Sequence, residues 1–266
     1  MKTAPNGTLL SEDTEARVSQ VIPVAELSNV GVRFRILSQP LTSFKEYVIR
    51  RLKREIAYRE FWAVKDVSLR AYAGECLGII GHNGAGKSTL LKVLARVIRP
   101  TEGRVVVRGS VAPLLELNAG FHMDLTGREN VFLNGTLLGY SKKDIARAFQ
   151  QVVDFAELRE FIEMPVRTYS YGMLLRLGFA VATAFRPDIL LVDEIIAVGD
   201  VSFRQKCLER METFLSEGTT IILVSHNLET IRRLCHRVIW LDHGRIRMMG
   251  DPPEVVQAYL ESSQLK

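Results

Sequence analysis

Residues 81–89 read Gly81-His82-Asn83-Gly84-Ala85-Gly86-Lys87-Ser88-Thr89, a full match to the phosphate-binding pattern G-x-x-x-x-G-K-[ST]. The apolar run Cys76-Leu77-Gly78-Ile79-Ile80 leads in as a short buried strand should, and Leu90-Leu91-Lys92-Val93-Leu94-Ala95 leads out as a helix. Gly81, Gly84 and Gly86 lack the side chains that would hold a backbone away from phosphate oxygens. The helix beginning near Lys87 points free N–H groups and a positive dipole end at such an anion. In this pattern Lys87 reaches the terminal phosphates and the Ser88 hydroxyl holds a magnesium ion. A glycine turn before an ordinary helix would need neither the strand nor the lysine. The stretch predicts a nucleoside triphosphate site in an α/β protein.

A hundred residues on, Ile189-Leu190-Leu191-Val192 is followed by Asp193-Glu194. Four apolar residues in a row fit a central parallel strand buried on both faces. Its end, where open α/β sheets place their ligands, carries two carboxylates. Asp193 is placed to hold the magnesium shell, and Glu194 to polarise a water for attack on the γ-phosphate. His226 follows a further apolar run, Thr220 to Val224. A lone histidine is usually structural, but this one closes a strand on the same side of the sheet. There it could touch the γ-phosphate or orient the water.

With Tyr169-Ser170-Tyr171-Gly172-Met173 in between, these motifs resemble the ATP-binding cassette family over roughly Val24 to Gly250. The order matches too: phosphate loop, signature, Asp193-Glu194, Asp200, His226. The resemblance implies a P-loop NTPase core of RecA type, with a mixed sheet and an inserted α-helical subdomain. It also implies ATP and Mg2+ as cofactors and a homodimer, in which Ser170 and Gly172 of one copy cap the nucleotide on the other's phosphate loop. Asp200 joins the nucleotide-contacting set, and Phe34 falls where cassettes often place an aromatic under adenine. Phe61 and Trp62 are rivals for that place.

Departures from the commonest cassette pattern narrow the resemblance. Tyr171 and Met173 replace a glycine and a glutamine, and Glu194 is followed by Ile195-Ile196-Ala197-Val198-Gly199-Asp200 rather than Pro-Thr-Ser. No glutamine follows the strand Val111 to Leu115, so Glu116 or a near neighbour stands where the magnesium-contacting glutamine is expected. Together with Leu114-Leu115-Glu116-Leu117-Asn118-Ala119-Gly120-Phe121 and Phe61-Trp62-Ala63-Val64-Lys65-Asp66, these features are similar to one branch. It comprises the nucleotide-binding subunits of exporters of O-antigen, teichoic acid and capsule-type polysaccharides. The branch implies a multi-span membrane permease as partner, a lipid-linked glycan near the membrane surface, and a peripheral place on the cytoplasmic face of the inner membrane.

Composition agrees. The 266 residues are 47% apolar, enough for one large core or a core with a subdomain. No run approaches the ~20 apolar residues that cross a bilayer, so transport would require separate membrane subunits. Cys76, Cys207 and Cys235 have no metal or redox spacing, which fits a reduced compartment. The net charge of +5 suits an anionic membrane or a nucleic acid and separates them poorly.

Residues 1–20 are polar and aperiodic and read as a flexible leader, residues 21–250 as the ATPase domain, and 251–266 as a C-terminal helix. Residues 38–60 read as an insertion between two strands. Within it Phe44, Tyr47, Val48, Leu52 and Ile56 recur at helical spacing among Lys45, Arg50, Arg51, Lys53, Arg54 and Arg59. Such a basic amphipathic helix suits anionic lipid or a pyrophosphate-linked glycan. A docked helix with a solvated basic face is the plainer reading and takes precedence. From about 111 to 184 the pattern turns helical, with Thr126-x-x-Glu129 as a capping box. Two rival functions fit less well. An ATPase of ribosomes or DNA would bring tandem cassettes or long coiled coils, and no nucleic acid partner is expected. A P-loop kinase would leave Ser170, Gly172 and His226 without roles.

Overall fold

The computed structural model describes residues 22–37, 58–115, 120–194 and 200–264. The leader, Glu116, residues 195–199 and the helical pattern of 38–57 lie outside them. The chain forms two sheets. The smaller is antiparallel, in the order β2-β1-β4, from β1 (Ala25–Leu37), β2 (Tyr58–Ala71) and β4 (Glu102–Val107). The larger contains β3 (Cys76–Ile80), β5 (Val111–Leu114), β6 (Ile189–Asp193), β7 (Thr220–Val224), β8 (Arg237–Asp242) and β9 (Arg245–Gly250). Its order is β5-β6-β7-β3-β8-β9. The first five strands run parallel and β9 is antiparallel to β8.

The helices are α1 (Lys87–Leu94), α2 (Gly127–Leu137), α3 (Lys142–Ala156), α4 (Tyr171–Ala182), α5 (Val201–Ser216), α6 (Leu228–Leu234) and α7 (Pro252–Gln264). All of β3 and β7 is buried, and successive side chains serve opposite faces. On one face Leu77, Ile79, Leu191, Ile222 and Ile239 meet Leu90, Leu91 and Leu94 of α1 and Leu27, Val64 and Val67 of the small sheet. On the other, Cys76, Ile80, Leu190, Val192 and Leu223 meet Phe179, Phe203, Met211, Ile231 and Val255 from α4 to α7. A third cluster, with Val131, Ile145, Val152, Leu174 and Leu177, joins α2, α3 and α4.

Two boundaries differ from the sequence expectation. Tyr58, Arg59 and Glu60, assigned to the insertion, are the first residues of β2 and pair with Leu37, Ile36 and Arg35. Their polar, exposed run gives no alternation because this end of the ribbon packs on nothing inside the core. The strand expected at Val111 to Leu115 forms, and the helical subdomain expected from about 111 therefore does not start there. Val111–Leu114 pairs with Ile189–Val192 as the sheet's edge strand, and four residues are too few for periodicity to tell strand from helix. The capping box at Thr126 forms in full: Glu129 N–H donates to Thr126 Oγ1 at 3.2 Å, and Thr126 N–H donates to Glu129 Oε2 at 2.8 Å. The last helix opens on Pro252-Pro253 and runs past Leu260 to Gln264. Among the described residues, no helix is long and apolar enough to cross a membrane.

Candidate functional site: a phosphate loop facing two strand ends

The loop between β3 and α1 wraps the N-terminus of α1, which no side chain caps. Gly86, the N-cap residue, has φ 104°, a left-handed backbone that an L side chain resists. Lys87 is 6% exposed. Its Nζ donates to the carbonyls of Gly81 (2.8 Å) and His82 (3.0 Å). Burial lowers the Lys87 pKa, while the charges of Glu194 and Asp193 pull it back up. The ammonium is therefore a poorly hydrated cation at the mouth of a backbone cradle, a fitting partner for a phosphate.

A cleft of about 590 Å³ opens in front of it. Its lining includes Asn83, Gly84, Gly86, Lys87, Ser88, Thr89, Asp193 and Glu194, with Phe34, Phe61, Ala63 and Leu115 along one side. The Ser88 hydroxyl and the Asp193 carboxylate are hard oxygen donors in the same cleft, a donor set that fits Mg2+. Phe34 and Phe61 are direct cross-strand partners, 39% and 48% exposed. Opposite residues share a face, so both rings face the cleft. Trp62 pairs with Arg33 on the opposite face, its ring centroid 5.3 Å from the Arg33 guanidinium and 5.7 Å from the Lys65 ammonium. The sheet therefore removes Trp62 from the aromatic rivals and keeps Phe61 beside Phe34.

Glu194 follows the end of β6 at φ 41°, a left-handed conformation uncommon outside glycine. Its N–H donates to the Val224 carbonyl at 3.0 Å. This bond draws the ends of β6 and β7 together. His226 Nε2 then lies 2.6 Å from Glu194 Oε1. Next in the chain, Asn227 caps α6, its Oδ1 accepting from the N–H groups of Glu229 (3.0 Å) and Thr230 (3.1 Å).

Ser170, Gly172 and Asp200 line a separate depression, with Glu157, Met173 and Arg176. Ser170 caps α4, its Oγ accepting from Met173 N–H at 3.3 Å. Asp200 caps α5, its Oδ1 accepting from Phe203 N–H (2.8 Å) and Ser202 Oγ (2.7 Å). Its Oδ2 pairs with Arg176, which also pairs with Glu157. The cap bond from Phe203 first, then Ser202 and Arg176, hold the Asp200 carboxyl below its ordinary range. Sequence reading missed Arg176 because its only sign is a position one helical turn beyond the signature.

Strand, loop, helix and acidic strand end define a P-loop ATPase. The chain belongs to the ABC transporter family, whose model matches residues 64–197. It is 42% identical over 242 residues to the O-antigen export system ATP-binding protein RfbB of Klebsiella pneumoniae, covering 90% of this chain and 98% of that one. It is 44% identical over 202 residues to the teichoic acids export ATP-binding protein TagH of Shouchella clausii, covering 76% of this chain and 56% of that one. Among solved structures, the ATP-binding cassette MJ0796, in a dimeric post-hydrolysis state bound to ADP and Pi, shares the fold. Its TM-score is 0.69 at 22% identity, over 86% of this chain and 98% of that one.

Proposed function

We propose that this chain is the ATP-hydrolysing subunit of an exporter that carries a lipid-linked polysaccharide, of the O-antigen or teichoic acid kind, across the cytoplasmic membrane. The observation that carries this reading is the 42% identity to an O-antigen export protein over 90% of this chain and 98% of that one. The Tyr171 and Met173 signature and the Ala197-Val198-Gly199-Asp200 run support the same branch.

In this reading two copies face each other. The uncapped start of α1 and Lys87 bind the phosphates, and Ser170 and Gly172 of the second copy close over them. The exposed start of α4, with Tyr171 63% exposed, supports a helix terminus offered to another chain. Mg2+, when bound through Ser88 and Asp193, would offset charge on the terminal phosphate. Glu194 accepts a proton from the attacking water, and His226, donating Nε2–H to Glu194, fixes the direction of that carboxylate. Closure then moves a multi-span permease, with this subunit peripheral on the cytoplasmic face.

The test is affinity purification of the tagged chain from gently solubilised membranes, with partners identified by mass spectrometry. Co-purification of a multi-span protein supports the exporter reading. Recovery of ribosomal or DNA-bound partners alone overturns it, leaving the ATPase intact.

A further inference from the structure

The turn between β8 and β9 leans on the phosphate loop: Gly244 N–H donates to the Ala85 carbonyl at 2.9 Å, and Lys65 N–H donates to the Gly244 carbonyl at 2.8 Å. This contact brings together three side chains that are not part of the cleft lining. His82 Nε2 lies 3.0 Å from Asp242 Oδ1, and His243 Nε2 lies 3.8 Å from the same oxygen. The two imidazole centroids are 4.8 Å apart. One ligand atom from each of the three residues falls within 4.8 Å of the other two.

The protons around His82 do not balance for a neutral ring. Its Nδ1 is 2.7 Å from the Asn83 carbonyl oxygen and its Nε2 is 3.0 Å from Asp242 Oδ1. Both oxygens only accept, whereas a neutral imidazole has one N–H. In the tautomer with that proton on Nδ1, the Nε2 lone pair faces Asp242 Oδ1 and can bind a cation there. The second imidazole directed at the same oxygen favours a metal, because two imidazoles and a carboxylate are a donor set of the zinc class. A ring held by Nδ1–H on a backbone carbonyl is also how protein metal sites orient their histidines.

Asp242 is prepared for this. Its Oδ2 is paired with Arg247 Nη1 at 3.2 Å, and that guanidinium is anchored 4.3 Å over the Trp240 ring. Oδ1 is left to the histidines.

We propose that His82, Asp242 and His243 form a three-ligand site for a divalent transition-metal cation of the zinc class, distinct from the magnesium position at Ser88 and Asp193. Donor atoms around a tetrahedral zinc sit about 3.3 Å apart, so His82 and Asp242 are already near position. His243, whose side chain is 78% exposed, has room to swing inward by about 1 Å. The fourth position stays open to water. The nearby Arg247 charge makes the site weaker than a closed structural zinc centre. Occupancy would tie the phosphate loop to the β8–β9 turn through side chains as well as backbone.

The test uses tag-free chain without nucleotide, titrated with zinc by calorimetry and with cobalt(II) by visible absorption. One equivalent is expected, with a cobalt spectrum of low coordination number. His243→Asn is expected to weaken zinc binding at least about tenfold. Asparagine tolerates the φ of 46° at this position, and an unchanged melting temperature without zinc confirms the fold. Zinc should raise the melting temperature of the parent chain more than that of His243→Asn. His82→Gln should lose binding in the same way. No zinc uptake by the parent chain, or undiminished uptake by His243→Asn, overturns the proposal.

Discussion

His226 Nε2 stands 2.6 Å from Glu194 Oε1, so residues just beyond the ends of two adjacent parallel strands, β6 and β7, share one hydrogen bond beside the cleft that Glu194 lines. The contact depends on Glu194 adopting φ 41° and donating its N–H to Val224. Backbone strain of this kind, about 1–3 kcal/mol, persists only where the surroundings enforce it. Here the enforced conformation seats the carboxylate against His226 at the edge of the cleft.

Glu194→Gln should keep ATP binding and lose hydrolysis, because the amide retains the shape and cannot accept the proton. A fall in kcat of about 100- to 10,000-fold is expected, read by phosphate release beside nucleotide titration. Turnover near that of the parent chain would remove Glu194 from the role of base.

Lys87→Ala should act on binding itself. It removes the buried cation of the cradle and the two hydrogen bonds to Gly81 and His82. ATP affinity, measured by calorimetry without hydrolysis, should fall at least about tenfold, since hydrogen bonds to charged groups contribute about 1.5–3 kcal/mol.

Phe34 and Phe61 face the cleft as a cross-strand pair. Replacing either with alanine should weaken ATP by about three- to tenfold, the scale of one aromatic contact. Inorganic tripolyphosphate, which has no base to stack, should bind unchanged. Equal loss for both ligands would mean that the rings support the loop rather than the adenine.

The loop glycines differ in what they do. A Cβ on Gly86 would sit 2.3 Å from the Ala63 carbonyl oxygen, whereas one on Gly84 meets nothing within 4 Å. Both have positive φ, so alanine at Gly84 costs about 1–2 kcal/mol of strain. Alanine at Gly86 should cost clearly more and displace β2, seen as a larger drop in melting temperature.

Acid should release one tie between β5 and β6. Asp188 Oδ2 accepts from Ser110 N–H (2.7 Å) and Ser110 Oγ (2.8 Å), and these bonds, backbone first, depress its pKa. A carboxyl depressed in the fold stabilises fully above its unfolded value of about 3.9 and loses that share as pH falls through the folded one. The stability gap between the parent chain and Asp188→Asn should therefore be present at neutral pH and shrink below about pH 4. A gap independent of pH would contradict this.

The parts of the site legible in the sequence are those whose chemistry is local. The phosphate loop needs its glycines, lysine and serine within nine consecutive residues. Asp193 and Glu194 close an unbroken apolar run, and Thr126 and Glu129 announce a helix start at fixed spacing. What stayed hidden was decided between segments. Nothing near Arg176 says that it will meet Asp200 and Glu157, and the polar start of β2 resembles a loop until β1 pairs with it.

By itself, then, the sequence determined the class of chemistry, because a phosphate cradle and a strand-end acid pair are built from neighbours along the chain. Tertiary structure alone decided which aromatic faces the cleft, since the register Phe34↔Phe61 and Arg33↔Trp62 follows from strand pairing over a long gap. It also decided that Glu194 meets His226 and that His82 meets Asp242. Those encounters follow from the order β6-β7-β3-β8, which seats strands distant in sequence side by side and brings their ends to one edge of the sheet.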